Sequence, residues 1–327
     1  MDVKSGKKWW CAIALMGAAH AFGLGNAAAQ VRCPVVKMIV PNPAGGGGDV
    51  VSRIVGNKAG ALLGQSFVVE NKAGASTTIG TDFVAKAKPD GCTLLSLTAS
   101  GVVISVLREK LPYDLQRDFV PIVGVGSFPM ALIVPASSDL KTLADVVKAA
   151  KAPNGIAYSS GGVGTMAHLS AARFLNDVGA TGTHVPFRGN PDATQALVGG
   201  QVQMFFSSTA EAASLAKGGR ARAVAVISDA PHPALPGVPT MKSAGFADFS
   251  PRLWYAFLAP AGTPPQTVAQ LGDAFTKALK DPAVQEQLAA SGFNVEPRDQ
   301  AAISAYIKSE AARWGKVIKD NGITDTN

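Results

Sequence analysis

Short apolar runs alternate with amphipathic stretches along most of the chain, and the alternation predicts an α/β protein. Residues 35–40 read as a buried strand. Val50, Val51, Ile54, Val55, Ala59, Leu62 and Leu63 then recur at helical spacing up to Gly64. A β-rich run at 66–70, a helix at 79–86 and a strand at 94–97 follow, with the turn Lys88-Pro89-Asp90-Gly91 before the last. Two β-like runs, 119–125 and 130–134, flank Gly126-Ser127-Phe128-Pro129 and read as a crossing into a second domain. There the theme repeats. Thr142 caps a helix carrying Leu143, Val146, Val147 and Ala150, and a strand at 155–158 leads into a second glycine loop and a helix with Met166, Leu169 and Leu175. Further strands are expected at 183–187, 203–206 and 222–227. Residues 251–258 read as the return crossing. Three helices follow, opened by Thr263-Pro264, Asp281-Pro282 and Asp299. The expected division is 30–124, 125–250 and 251–327, the last returning to the first domain.

The strand-to-helix joint at Pro41-Asn42-Pro43-Ala44-Gly45-Gly46-Gly47-Gly48-Asp49 organises the first domain. Glycines let backbone approach a ligand, and a helix N-terminus offers unpaired N–H groups and a positive dipole end. A plain tight turn with Asp49 as N-cap fits the same residues. A nucleotide P-loop needs Lys and Ser or Thr where Asp49 stands, and no G-x-G-x-x-G/A match starts at Gly45 or Gly46.

The leader changes the picture. Lys4, Lys7 and Lys8 precede a mostly apolar run broken by Gly17, His20 and Gly23, and Ala27-Ala28-Ala29 offers a small-residue cleavage site. Residues 1–29 therefore read as a secretory signal peptide, with export to the periplasm and cleavage after Ala29 expected. Losing Lys4, Lys7, Lys8 and Asp2 from the 30 basic and 23 acidic residues leaves 27 and 22, a net of +5. That mild, dispersed charge favours anionic small molecules by steering and carries no basic, aromatic-laced cluster for nucleic acid.

Cys33 and Cys92 remain, each at the head of a predicted strand. First and third strands of a doubly wound sheet are parallel neighbours, so both cysteines fall at one sheet edge. They are either two buried thiols or, as an oxidising compartment favours, a disulfide.

Three strands of the first domain end in loops of Gly, Ala, Ser and Thr: around Asn42 to Gly46, at Ala75, Ser76 and Thr77, and at Thr98 to Gly101. Ligands of open α/β sheets bind at the carboxyl ends of strands. The second domain offers Ser159, Ser160, Gly164 and Thr165 after one strand, Phe187 and Arg188 after another, and Ser207 after a third. Small hydroxyls and bare amides suit a carboxylate or its bound water. Gly162-x-Gly164-x-x-Ala167 is a dinucleotide-like match, and Arg188 after the next strand keeps an NADP-linked enzyme open as an alternative. Catalytic signatures are otherwise absent: no H-E-x-x-H, no cysteine metal cluster, no G-x-S-x-G turn. His168 reads as a structural hydrogen-bonder. No cofactor and no metal are expected.

Pro41 to Asp49, Val69-Glu70-Asn71-Lys72-Ala73-Gly74-Ala75, Lys88-Pro89-Asp90-Gly91, Tyr158 to Thr165 with His168-Leu169, and His184-Val185-Pro186-Phe187-Arg188-Gly189 together resemble the tripartite tricarboxylate transporter substrate-binding proteins, the Bug family. Gly199-Gly200-Gln201-Val202, Val238-Pro239-Thr240 and Ala259-Pro260-Ala261-Gly262-Thr263-Pro264 complete a set spanning about residue 36 to about residue 295. The resemblance implies a two-domain Venus flytrap of type II, each domain a mostly parallel sheet flanked by helices, with a cleft between. It implies a monomer that binds a small organic carboxylate and hands it to integral-membrane permease subunits; a sensor docking on a receptor kinase is the alternative. The candidate ligand set is Asn42, Ala44, Gly46, Asp49, Ala75, Ser76, Thr77, Thr98, Ser100, Ser159, Ser160, Gly164, Thr165, His168, Phe187, Arg188 and Ser207. The sequence departs from relatives at Ala196, where an acid is common, which argues against an amino-acid ligand. It departs also at Asn42, where Phe is frequent.

Overall fold

The computed structural model describes residues 33–247, 249–320 and 322–325, so the expected leader lies outside the described residues. The first lobe opens with β1 (Val35–Val40), α1 (Gly47–Leu63), β2 (Ser66–Asn71), a 3-10 turn (Ala75–Thr77), α2 (Thr78–Ala85), β3 (Thr93–Thr98), α3 (Ala99–Leu107) and β4 (Phe119–Phe128). The second lobe holds β5 (Met130–Pro135), α4 (Leu143–Ala150), β6 (Ile156–Ser160), α5 (Met166–Asp177), β7 (Gly182–Pro186), α6 (Asn190–Val198), β8 (Phe205–Ser208), α7 (Thr209–Lys217) and β9 (Ala221–Ile227). The chain then returns through β10 (Leu253–Pro260), α8 (Pro265–Lys280), α9 (Pro282–Ala290), β11 (Asn294–Arg298) and α10 (Gln300–Asp320).

Six strands of the first lobe run in the order β11-β4-β10-β3-β1-β2. β1 pairs in parallel with β2 and β3, whereas β10 is antiparallel to both β3 and β4, and β11 to β4. β4 carries the chain out and β10 brings it back, so as neighbours they must oppose. The second lobe repeats this plan. β5 lies antiparallel between β8 and β9, β6 and β7 are parallel, and a parallel bridge at Tyr158 and Met204 joins the two sheets. The order β7-β6-β8-β5-β9 thus mirrors β2-β1-β3-β10-β4. Sheet membership switches between Phe128 and Met130.

The core follows from the alternation of burial. Val36, Met38 and Val40 face α1, α8 and α9 with Phe257, Phe275 and Leu271, while Ile39, Leu95 and Leu97 face the side of α2 and α3. α1 comes close because it is glycine-rich: a Cβ on Gly47 would stand 2.6 Å from the Phe128 ring, and one on Gly48 3.0 Å from Tyr255.

Cys33 and Cys92 are joined as a disulfide beside the starts of β1 and β3, where Lys37 N–H also donates to Cys92 O at 2.8 Å.

Several elements differ from the sequence expectation. Thr98 to Gly101 is not a loop; Thr98 caps α3, its hydroxyl accepting from Gly101 N. α7 likewise begins directly at the end of β8, with Ser208 as its cap. Ser and Thr serve loops and N-caps equally, so composition alone does not separate the two. Asp49 is not the N-cap of α1. Gly46 holds that place without a side-chain bond, and Asp49 sits inside the first turn.

Candidate functional site

A cavity of about 820 Å³ separates the lobes. Six helix N-termini converge on it among the described residues: α1 at Gly46 to Gly48, the turn Ala75–Thr77 leading into α2, α3 at Thr98 and Ser100, α5 at Thr165 to Ala167, α6 at Gly189 to Pro191, and α7 at Ser208 and Glu211. Each follows a strand, so the sheet topology aims unpaired N–H groups and positive dipole ends at one space. Such a space favours an anion.

Backbone strain is concentrated in the lining. Ala75, Ser76 and Thr77 have φ of 46°, 51° and 83°, the only non-glycine residues with positive φ among the described residues. Such conformations cost of order 1–3 kcal/mol each and persist where surroundings fix them. Arg108 is the clamp: Nη1 donates to Ala75 O at 3.0 Å and to Thr78 Oγ1 at 3.1 Å, while Nε pairs with Asp325 at 2.8 Å.

Hydroxyl roles divide cleanly. Thr98 Oγ1 accepts from Gly101 N, Ser208 Oγ from Glu211 N, and Ser100 Oγ from Met166 N; none donates a hydrogen bond among the described residues. Their protons are open to an acceptor in the cavity. Thr165 differs, since its hydroxyl already donates to Gly162 O at 2.8 Å. Thr77 Oγ1 and Asn42 Oδ1 are buried without a hydrogen-bond partner among the described residues. Arg188 is exposed, lines the cavity, and makes no ion pair or hydrogen bond among the described residues.

Of the candidate set, Asn42, Gly46, Ala75, Ser76, Thr77, Thr98, Ser100, Thr165, Phe187 and Arg188 line this cavity together. The others stand outside the lining. Ala44 is exposed on the loop. Asp49 is committed to its own helix, accepting from Gly45 N at 3.0 Å and pairing with Arg53 at 2.9 Å. Burial works to raise its carboxyl, but Arg53, the Gly45 amide and Asn71 outweigh that and hold it below the usual range. Ser159 Oγ donates to Ala193 O and Ser207 Oγ to Ser208 O, and both residues are buried outside the lining. Ser160 Oγ bonds His184 Nε2 at 2.6 Å. His168 stacks on His184 with centroids 3.9 Å apart and accepts from Gly164 N at Nδ1; burial and the neighbouring His184 push its pKa down to about 3. These two histidines brace the glycine loop from behind.

Gly164 explains the dinucleotide-like spacing by packing. Its φ is +76°, and a Cβ there would lie 2.5 Å from Ile104 Cδ1 of α3. Ala196 is buried on α6 outside the lining, so its departure does not reach the cavity.

Sequence reasoning missed Phe128, Met130, Phe206, Leu253, Tyr255, Asn190 and Glu211 in the lining. Met130, Phe206, Leu253 and Tyr255 read as ordinary strand residues and Phe128 as part of the link between two strands, whereas it closes β4; their position at the lobe junction is a property of topology. Glu211 was legible in principle, since Ser208-x-x-Glu211 has the spacing of a capping box. In the structure, only the Ser208 half of that box forms.

A cleft between two α/β lobes of mirrored strand order, lined by helix N-termini, defines a solute-binding protein. Residues 51–323 match the family described as tripartite tricarboxylate transporter family receptor, TctC, and the chain belongs to that family. It is 36% identical over 285 residues, 86% of this chain and 85% of the relative, to the "UPF0065 protein in tcbD-tcbE intergenic region" of Pseudomonas sp. strain P51. The periplasmic binding protein BugD superposes with TM-score 0.83 at 30% identity, covering 89% of this chain and 98% of that one. MatC from Rhodopseudomonas palustris, solved with bound malate, superposes with TM-score 0.81 at 29% identity, covering 87% and 98%. The family and these neighbours are solute-binding proteins and not enzymes.

Proposed function

We propose that the protein, exported and cleaved after Ala29, captures a small organic carboxylate between its lobes and delivers it to a membrane permease of the tripartite tricarboxylate type. The observation that carries this reading is the convergence on one cavity of six helix N-termini and of Arg188, which has no partner among the described residues. One carboxylate is held by the amides of the first-lobe loops at Gly46 to Gly48 and Ala75 to Thr77, with Thr98 and Ser100 donating hydroxyl protons. Arg188 engages the ligand from the second lobe as a planar two-pronged donor. Contacts made only when both lobes touch the ligand drive closure of 125–250 onto 30–124 and 251–327. The malate bound by MatC, whose fold this chain shares, is in keeping with that class.

A thermal-shift panel of mono-, di-, tricarboxylic and aromatic acids, each beside its neutral amide, tests the reading. A cognate acid at a hundredfold excess over its Kd adds about 2.7 kcal/mol, raising the midpoint by roughly 5 °C. The amide gives no shift. Equal shifts from acid and amide, or none from any acid, contradict it.

A further inference from the structure

Glu211 places a carboxyl in a cavity otherwise built for anions. It lies in the first turn of α7, lines the cavity, and is partly buried. Thr194 donates its hydroxyl to Oε1; the second oxygen has no hydrogen-bond partner and Glu211 joins no ion pair among the described residues. Arg188 lines the same cavity, and the two do not pair. Burial pushes the Glu211 carboxyl up, against the lowering effect of Thr194, and no cation among the described residues offsets that burial. A partly desolvated carboxyl with an open oxygen is costly unless a donor meets it. A ligand bearing only carboxylates supplies none and is repelled.

We infer that Glu211 is the specificity-determining residue of the cavity, and that the ligand is a carboxylate carrying a hydrogen-donating substituent, an ammonium or a hydroxyl, which Glu211 Oε2 accepts. This rests on the carboxylate reading above and narrows it. Arg188 and Glu211, not paired with each other among the described residues, then meet the acceptor and donor ends of one molecule. The substitution at Ala196 does not weigh against an amino acid, because the acid of this cavity stands at position 211 instead.

Three four-carbon diacids that differ in one substituent make the test: succinate, malate and aspartate, with a matched aromatic pair of benzoate and 4-aminobenzoate. Calorimetry on the mature protein and on Glu211→Gln measures each. The native protein prefers a donor-bearing member over its plain partner by about ten- to a hundredfold. Glu211→Gln keeps the fold, since the amide still accepts from Thr194, and it loses most of that preference while binding the plain acid as tightly or more tightly. Plain acids bound as well as donor-bearing ones by the native protein, or an unchanged preference in Glu211→Gln, overturn the assignment and leave the carboxylate reading standing. Absence of binding by every acid overturns both.

Discussion

Met166 donates its backbone N–H to Ser100 Oγ at 3.2 Å, tying the start of α5 in one lobe to the start of α3 in the other. The contact sits at the floor of the cleft, where Gly164 packs against Ile104 of α3. It is a hydrogen bond between lobes, so a motion that parts α3 from α5 must break it.

Ser100→Ala removes that acceptor and leaves Met166 N–H facing the cleft. The variant also loses the hydroxyl proton offered to the ligand; at about 1 kcal/mol for each neutral hydrogen bond, ligand affinity should fall about thirtyfold. Small-angle scattering should show a less compact ligand-bound protein. An unchanged radius and affinity would mean that the bond contributes nothing to closure.

His168 gives the protein an acid limit. Its folded pKa of about 3 lies below the ordinary value of 6.5, because burial and His184 disfavour the imidazolium. The unfolded chain therefore binds the proton first. The group's stabilising contribution is fully present above pH 6.5 and is lost as pH falls toward 3, by about 1.4 kcal/mol per pH unit at most. Denaturant unfolding at pH 7, 6, 5 and 4 should show that slope, and His168→Asn should flatten it. An equal slope in the variant would assign the acid sensitivity to other groups.

The disulfide closes a loop with a sequence separation of 59 residues between Cys33 and Cys92. Loop-closure entropy sets its contribution at about 4 kcal/mol. Alkylation of native protein without reductant should modify neither thiol, and Cys33→Ser with Cys92→Ser should lower the unfolding free energy by an amount of that order. Free alkylation of both in the native protein would contradict the pairing.

Much of this architecture was legible because it rests on local signals. Strand-edge placement of Cys33 and Cys92 followed from the order of apolar runs, and Thr142, Asp281 and Asp299 announced helix starts that the structure shows, Thr142 with a full capping box to Asp145. α3 was lost because Val102, Val103 and Ile104 are all buried, leaving no polar face to mark a helical period. In the cavity, the glycine and hydroxyl loops were readable as loop chemistry. Phe128, Tyr255 and Phe206 were not, since only the meeting of two lobes turns core-like aromatics into a lining. His168 and Ser160 looked like site residues because they sit beside the glycine loop, yet their polar atoms bond that loop and, for Ser160, His184, and neither lines the cavity.

Arg188 carries the central claim, that the cleft closes on a carboxylate. Calorimetry of Arg188→Ala with the acid identified by the panel, combined with scattering to follow compaction, tests it most directly. A charged hydrogen bond contributes roughly 1.5–3 kcal/mol, so affinity should drop about ten- to a hundredfold and ligand-induced compaction should shrink. Arg188→Lys should recover part of the loss, having the charge without the fork. Unchanged affinity together with unchanged compaction in Arg188→Ala would contradict the account and return Arg188 to the solvated surface.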